Sequence, residues 1–273
     1  MNGLHKLYLV EGLPGIDKMP YTSALKDELE NQGKTVIFYK EGDLHPADMA
    51  WNAYLTMEEY QEFIKNILDI WRRNKTQEKE ELLDRIQKET CMEGSHVVIA
   101  YTKLRFPDES YDCLYEDLAA RVIYDGRLPL QEFTSLLLKR WRRFCKQALN
   151  TTNTVYIFEC AFLQNHIFEL MGFYDMEDAD IMKHLEDLLC TVSALNPKLL
   201  YIEPNDVAHL LGDPSRDWVQ QMIHYVEKSN YGKIHGLKGV DGVLDFLKNR
   251  YRLDLLALEL LRDNACSLSI LRQ

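Results

Sequence analysis

Short apolar runs rich in β-branched and aromatic residues recur at long intervals, and their spacing constrains the fold more than any other feature. Each run is short enough to form a buried strand. The runs cover residues 4–10, 34–40, 95–101, 154–160, 198–204 and 266–271. Helical patterns lie between them, over residues 19–32, 57–90, 108–124, 129–149, 176–193, 214–229 and 239–263. This alternation predicts an α/β fold, a three-layer α/β/α sandwich around a mainly parallel sheet of five or six strands.

The domain organisation follows from length and composition. The chain has 273 residues, of which 46 % are hydrophobic, enough for a sizeable core. No stretch has the composition of a linker, and no internal repeat is visible. We therefore expect a single domain over residues 1–273, with helical insertions above the sheet edge at about 52–93 and 108–149.

Charge and cysteine usage limit the partners and the compartment. The formal net charge of −11 disfavours nucleic acid, because binding phosphates along a backbone needs a basic face. The six cysteines and the histidines lack the spacing of a metal site and are typical of reduced thiols and core or surface residues. No window approaches the roughly 18 uninterrupted apolar residues of a membrane span, and the first residues lack the apolar run of a signal peptide. These features predict a cytoplasmic protein with no metal centre of its own and no membrane partner.

The stretch YLVEGLPGIDKMPYT, residues 8–22, joins the first predicted strand to the first predicted helix. It partly fits the phosphate-binding pattern GxxxxGK[ST], in which glycines allow a tight turn and backbone N–H groups surround the phosphates. In that pattern the lysine reaches the β and γ phosphates and the hydroxyl binds magnesium. Gly12 and Lys18 fit, and Gly15 lies within the loop. We therefore expect Gly12, Gly15 and Lys18 to bind phosphate.

Three residues depart from the pattern: Asp17 replaces the second glycine, Met19 replaces the magnesium-binding hydroxyl, and Pro20 removes one first-turn N–H group. A carboxylate about 4 Å from a phosphate charge is unfavourable by roughly 1 kcal/mol in water and about 4 at an effective dielectric constant near 20. Loss of a charge-assisted hydrogen bond adds roughly 1.5 to 3 kcal/mol. Together these costs predict that the loop binds a nucleotide phosphate roughly a hundredfold to hundred-thousandfold more weakly than an intact loop does.

The sequence resembles the P-loop NTPase superfamily, and within it uncharacterised kinase-like proteins related to nucleotide and nucleoside kinases. The resemblance is carried by EGLPG with Lys18, by EGDLHPAD (41–48), by IFECAFLQN (157–165) and by NYGKIHGLKG (230–239). It implies a nucleotide-handling ancestry and ATP with Mg²⁺ as the cofactor pair, although Met19 in place of the hydroxyl argues against the metal. In nucleotide kinases a strand like that at 198–204 is followed by a lid helix bearing arginines, whereas the stretch NDVAHLLGDPSRDW here offers only Arg216.

Glu159 ends the apolar run VYIF, and its position resembles the Walker B carboxylate or the base of nucleoside kinases. A carboxylate there could orient magnesium or accept a proton from a hydroxyl group. Glu159 and Lys18 are the two predicted catalytic residues. Gln164 is a candidate for orienting a ligand nearby. The alternative is an acid that only ends the strand.

Further candidates follow the second and third predicted strands, at the rim where ligands bind in open α/β sheets. Glu41, Asp43 and His45 could contact a substrate hydroxyl or act as a base, or they could form a polar turn before Pro46. Arg105 could meet an anion from the same rim, or it could be a solvated surface residue. Both interpretations remain open for each of them.

The segment YGKIHGLKGVDG, residues 231–242, combines four glycines with Lys233, His235 and Lys238. A mobile basic loop of this kind suits a lid that closes over phosphates, and the alternative is an ordinary turn between two helices. Two functional hypotheses result. The chain binds a nucleotide or small anionic ligand with weak or lost phosphotransferase activity, or it is a pseudoenzyme that acts as a scaffold for a ligand or a protein partner.

Overall fold

The computed structural model describes residues 5–74, 78–106, 108–213, 215–263 and 267–272. The chain divides into two compact units, a first unit of Met1–Tyr39 and Pro129–Gln273 and a second unit of Lys40–Leu128. The helix at 130–149, which we placed in an insertion, belongs to the first unit.

The described residues form eight strands and eleven α-helices. The strands are β1 (Leu7–Gly12), β2 (Thr35–Tyr39), β3 (Ala53–Thr56), β4 (Thr90–Glu93), β5 (His96–Ile99), β6 (Thr154–Glu159), β7 (Lys198–Glu203) and β8 (Ser267–Arg272). The helices are α1 (Met19–Asn31), α2 (Met57–Asn74), α3 (Lys79–Lys88), α4 (Asp112–Ala119), α5 (Leu130–Leu149), α6 (Gln164–Gly172), α7 (Asp178–Val192), α8 (Val207–Leu211), α9 (Asp217–Lys228), α10 (Asn230–Ile234) and α11 (Gly239–Asp263).

The first unit is built on a five-stranded parallel sheet in the order β2-β6-β1-β7-β8. Every residue of β1 is buried, as expected of a strand covered on both faces. One face packs on α5, where Trp141 and Phe144 contact Phe158 of β6. The other face carries Tyr8, whose pKa is raised by burial and by Glu28 of α1. The predicted α/β class, with a mainly parallel five-stranded sheet between helical layers, is confirmed.

The second unit has its own antiparallel sheet in the order β3-β5-β4. The apolar run at 95–101, which we expected among the parallel strands, forms β5 at the centre of this small sheet. Its side chains pack in a separate core with residues of α2, α3 and α4, including Phe63, Leu82 and Leu114. The expectation for this run was wrong because an apolar strand pairs wherever its partners lie, and β3 and β4 are its neighbours along the chain.

Within the described part of the chain, no helix is long and apolar enough to cross a membrane. The cytoplasmic location expected from the sequence stays a prediction.

Candidate functional site

The loop at residues 12–18 leaves β1 at the carboxyl edge of the parallel sheet and leads into α1. A Cβ atom at Gly12 would lie 2.8 Å from the backbone oxygen of Ile202 in β7, so only glycine permits this close approach. Gly15 has a φ of +87°, a left-handed conformation that favours glycine. The side chains of Leu13 and Ile16 are buried, so the loop is packed against the body of the unit.

Lys18 turns back into the loop rather than toward solvent, and only 5 % of the residue is exposed. Its Nζ atom donates to the backbone oxygen of Leu13 at 3.2 Å and to Oε1 of Gln164 at 2.9 Å. Gln164 is the first residue of α6, so the contact joins two segments 146 residues apart. The structure thus brings together two of the predicted site residues, Lys18 and Gln164, and holds the ammonium group in place.

Glu11, the last residue but one of β1, is completely buried beside this lysine. Its two carboxyl oxygens accept the backbone N–H groups of Phe162 at 2.7 Å and Gln164 at 2.9 Å, where the chain enters α6. Burial raises the pKa of the Glu11 carboxyl to about 7, against the opposing effects of these hydrogen bonds and of the Lys18 charge. Glu11 therefore exchanges its proton near neutral pH.

A second buried charge cluster lies on the α11 side of the sheet. Asp254 forms an ion pair with Arg250, and both side chains are fully buried. Tyr201 of β7, which is in register with Glu11 of β1, donates its hydroxyl to Asp254 at 2.8 Å. Burial raises the pKa of Asp254, while Arg250 and, more weakly, Lys18 oppose that rise. Lys18 therefore stabilises the negative charge of two buried carboxyl groups, Glu11 and Asp254.

The residues that depart from the phosphate-binding pattern alter the start of α1. The Oδ1 atom of Asp17 accepts the backbone N–H of Met19 at 3.1 Å. Pro20, in the first turn, has no N–H group to offer. The N-terminus of α1 therefore already bears a carboxylate from the chain itself, at the place where helix N-termini bind anions.

An aromatic ring covers part of the loop. Trp218, near the start of α9, lies against Gly15, where an added Cβ atom would come within 2.9 Å of its Cη2 atom. A side chain at residue 15 would therefore conflict both with the backbone conformation and with this ring. The indole restricts access to the backbone of Gly15.

The connections of the parallel sheet change direction between β1 and β6, which makes this pair of strands the topological switch point. The connection from β1 runs through α1 toward β2, whereas the connection from β6 runs through α6 and α7 on the opposite face toward β7. Ligands of open α/β sheets bind at the carboxyl ends of such neighbouring strands. Glu159 also lies at this edge, half-buried and in register with Val10, so that its side chain is on the face opposite to Glu11.

Four other predicted residues belong to the second unit, where each contacts its own surroundings. Glu41 accepts the indole N–H of Trp51 at 3.0 Å, and Asp43 pairs with Lys103 at 2.7 Å. His45 Nδ1 accepts the backbone N–H groups of the third and second residues beyond it, at 2.8 and 3.1 Å. Arg105 donates to the backbone oxygens of residues 102 and 104. These contacts hold the four side chains within the second unit, and their role toward a ligand stays a prediction.

The basic segment 231–242 lies at the far end of α9 from Trp218. The backbone N–H of Gly239 donates to Glu227 at 3.0 Å, and Glu227 is nine residues beyond Trp218, or about 14 Å along the helix. Lys233, His235 and Lys238 are exposed. Both lysines border a cavity of about 300 Å³, together with Glu227, Gly232, Gly236 and Leu237. The structure does not bring this segment to the part of the loop that Trp218 covers.

Two buried histidines join α6 to α7, His166 on the first helix and His184 on the second. His166 and His184 share a hydrogen bond of 3.1 Å, and burial lowers the pKa of each to about 3, so both are neutral at pH 7. The residues that the structure describes include no group of three or more His, Cys, Asp or Glu side chains placed to bind a metal ion.

Sequence reasoning missed Glu11, Asp254 and Trp218. Glu11 had a signal that could have found it, because an acid at the end of the apolar run LYLV needs a partner when it is buried. Asp254 comes from a distant helix, and nothing in its local sequence indicates the loop. Trp218 ends the stretch that we compared with the lid helix of nucleotide kinases, where only arginines were considered.

Comparisons of the chain with protein-family models, with curated proteins and with solved structures found no match. The resemblance to kinase-like P-loop proteins therefore stays a hypothesis based on the residues of this chain.

Proposed function

We propose that the chain binds a phosphate-bearing small ligand, with a nucleotide as the first candidate, at the loop 12–18, and that phosphotransferase activity is weak or lost. The observation that carries this proposal is the buried ammonium group of Lys18, held at the start of α1 at the carboxyl edge of the sheet, where β1 and β6 are neighbours. A fixed cation at a helix N-terminus and at a topological switch point suits a phosphate group.

Weak catalysis follows from what surrounds that lysine. Met19 offers no oxygen for Mg²⁺. The backbone N–H of Met19 donates to Asp17, so it is not available to donate to a phosphate. Glu159 remains the candidate base at this edge. ATP with Mg²⁺ is therefore expected to bind no better than ADP without the metal.

The test is isothermal titration of ADP and ATP, with and without Mg²⁺, into wild type, Lys18→Ala and Lys26→Ala. Lys26 is a matched lysine on the surface of α1, paired with Glu30. We expect Lys18→Ala to weaken ADP binding about 10- to 100-fold, as loss of a charged hydrogen bond implies. Lys26→Ala should bind as wild type does. Equally poor binding by wild type and folded Lys18→Ala would contradict the proposal.

A second candidate function is that of a pseudoenzyme, a P-loop scaffold that no longer uses nucleotide and acts on a protein partner. It is favoured by the internal hydrogen bonds of Lys18 and Asp17 and by the indole over Gly15. Under this alternative only the variant Asp17→Gly, Met19→Ser binds ATP with Mg²⁺. Magnesium-dependent phosphate transfer from ATP to a nucleoside or a small alcohol by the wild type would exclude it.

A further inference from the structure

Glu11 is the buried acid closest in the chain to the loop, and the proposed function leaves it without a role. Both of its oxygens are occupied by N–H groups at the start of α6, and the same residue, Gln164, supplies one of those N–H groups and accepts from Lys18. Glu11 and Lys18 are therefore linked through Gln164, so a change in the charge of one alters the hydrogen bonds and the electrostatic surroundings of the other.

The polar and charged groups near Glu11 come from the loop, from the neighbouring strands β6 and β7, from α6 and from α11. Lys18, at the end of the loop, is the cation that stabilises its carboxylate. Tyr201 of β7 lies beside it in the sheet, and behind Tyr201 the Asp254–Arg250 pair of α11 is neutral overall. From α6 it faces backbone N–H groups, and Glu159 of β6 projects from the opposite face. Lys18 is thus the one cation among these groups whose charge is not matched by an ion pair.

An anion bound at Lys18 would compete with Glu11 for that single cation. Two negative charges would then share one positive charge in a site that excludes water, where charge interactions are stronger than in solution. A proton on Glu11 ends this competition because it removes one of the two negative charges. The protonated carboxyl group can still accept a hydrogen bond from the start of α6.

We propose that Glu11 is a proton-linked positioning residue, and that an oxyanion which binds at Lys18 is accompanied by uptake of a proton at Glu11. This inference rests on the proposed function. Because the pKa of Glu11 is already about 7, the uptake falls within the neutral range. Binding should strengthen roughly tenfold from pH 8 to pH 6, the change expected for about one linked proton with saturation at each end.

The experiment is titration of ADP without metal at pH 8, in HEPES and in Tris, whose ionisation enthalpies differ. At this pH the ligand is almost fully ionised, because the second pKa of a phosphate group is about 6. We expect the observed enthalpy for wild type to differ between the buffers by the amount that corresponds to uptake of about half to one proton per ADP.

Two variants locate the proton. Glu11→Gln, which is neutral like the protonated acid and cannot take up a proton, should bind with the same enthalpy in both buffers and with little dependence on pH. Asp27→Asn, which removes an exposed acid from α1, should behave as wild type does. If Glu11→Gln does not fold, the comparison of buffers with wild type still decides whether a proton is taken up.

The outcomes separate the two proposals. Binding that depends on Lys18 but has an enthalpy independent of the buffer overturns the proton linkage alone. Proton uptake that persists in Glu11→Gln overturns the assignment to Glu11. Absence of ADP binding in every buffer overturns the proposed function and this inference together.

Discussion

Two glycine-containing segments of the first unit carry lysines, and they differ in what surrounds those lysines. In the loop 12–18, Lys18 is buried, makes two hydrogen bonds and acts on two buried carboxyl groups. In the segment 231–242, Lys233 and Lys238 are exposed beside a cavity and form no ion pair with the residues that the structure describes. A basic side chain near glycines is therefore preorganised only where other elements of the fold hold it in place.

The largest expected effect concerns stability. Lys18→Met should lower the free energy of unfolding by roughly 2 to 4 kcal/mol, because it removes a charged hydrogen-bond donor and the cation that compensates two buried acids. Urea denaturation at pH 7.5 measures this change. Lys238→Met is the matched control from the other segment and should stay within about 0.5 kcal/mol of wild type. Equal effects of the two substitutions would remove the distinction between the segments.

A smaller effect is expected from the ring that covers Gly15. Trp218→Ala should strengthen ADP binding by roughly three- to tenfold, because it opens the loop backbone to the ligand. Trp218→Phe, with a smaller ring, should lie between wild type and alanine. Isothermal titration measures both. If ADP binding weakens instead, the indole is part of the binding surface rather than a cover over it.

The smallest effect is expected in the basic segment. The double variant Lys233→Met, Lys238→Met should change ADP affinity by less than about twofold, because the segment lies about 14 Å along α9 from Trp218. Titration of ADP into this variant and into Lys18→Ala gives the direct comparison. A loss that matches Lys18→Ala would support the lid hypothesis and show that the segment reaches the ligand.

Much of the first unit could be predicted from the sequence because its signals are local. β1, α1, β6 and β7 follow from short apolar runs and helical periodicity, and each differs from its predicted range by a few residues. The run at 95–101 was assigned to the wrong sheet, since its apolar character indicates burial but not the identity of its neighbours.

The candidate site could be predicted only in part. Gly12, Gly15 and Lys18 were found because the phosphate-binding pattern is contiguous in sequence. Gln164 was proposed to orient a ligand; the structure shows that it contacts Lys18, and its role toward a ligand stays a prediction. Glu41, Asp43, His45 and Arg105 lie in the second unit, and their role in ligand binding stays a prediction.

From the residues alone one can predict that strands alternate with helices, that a glycine-containing loop follows the first strand, and that this loop lacks the residues of an intact magnesium site. The burial of Lys18, the contact of Glu11 with the start of α6 and the position of Trp218 over Gly15 emerge only from the folded chain. The physical reason is that the protonation and access of a side chain depend on desolvation and on partners. Here those partners come from α6, α9 and α11, more than 140 residues along the chain from the loop.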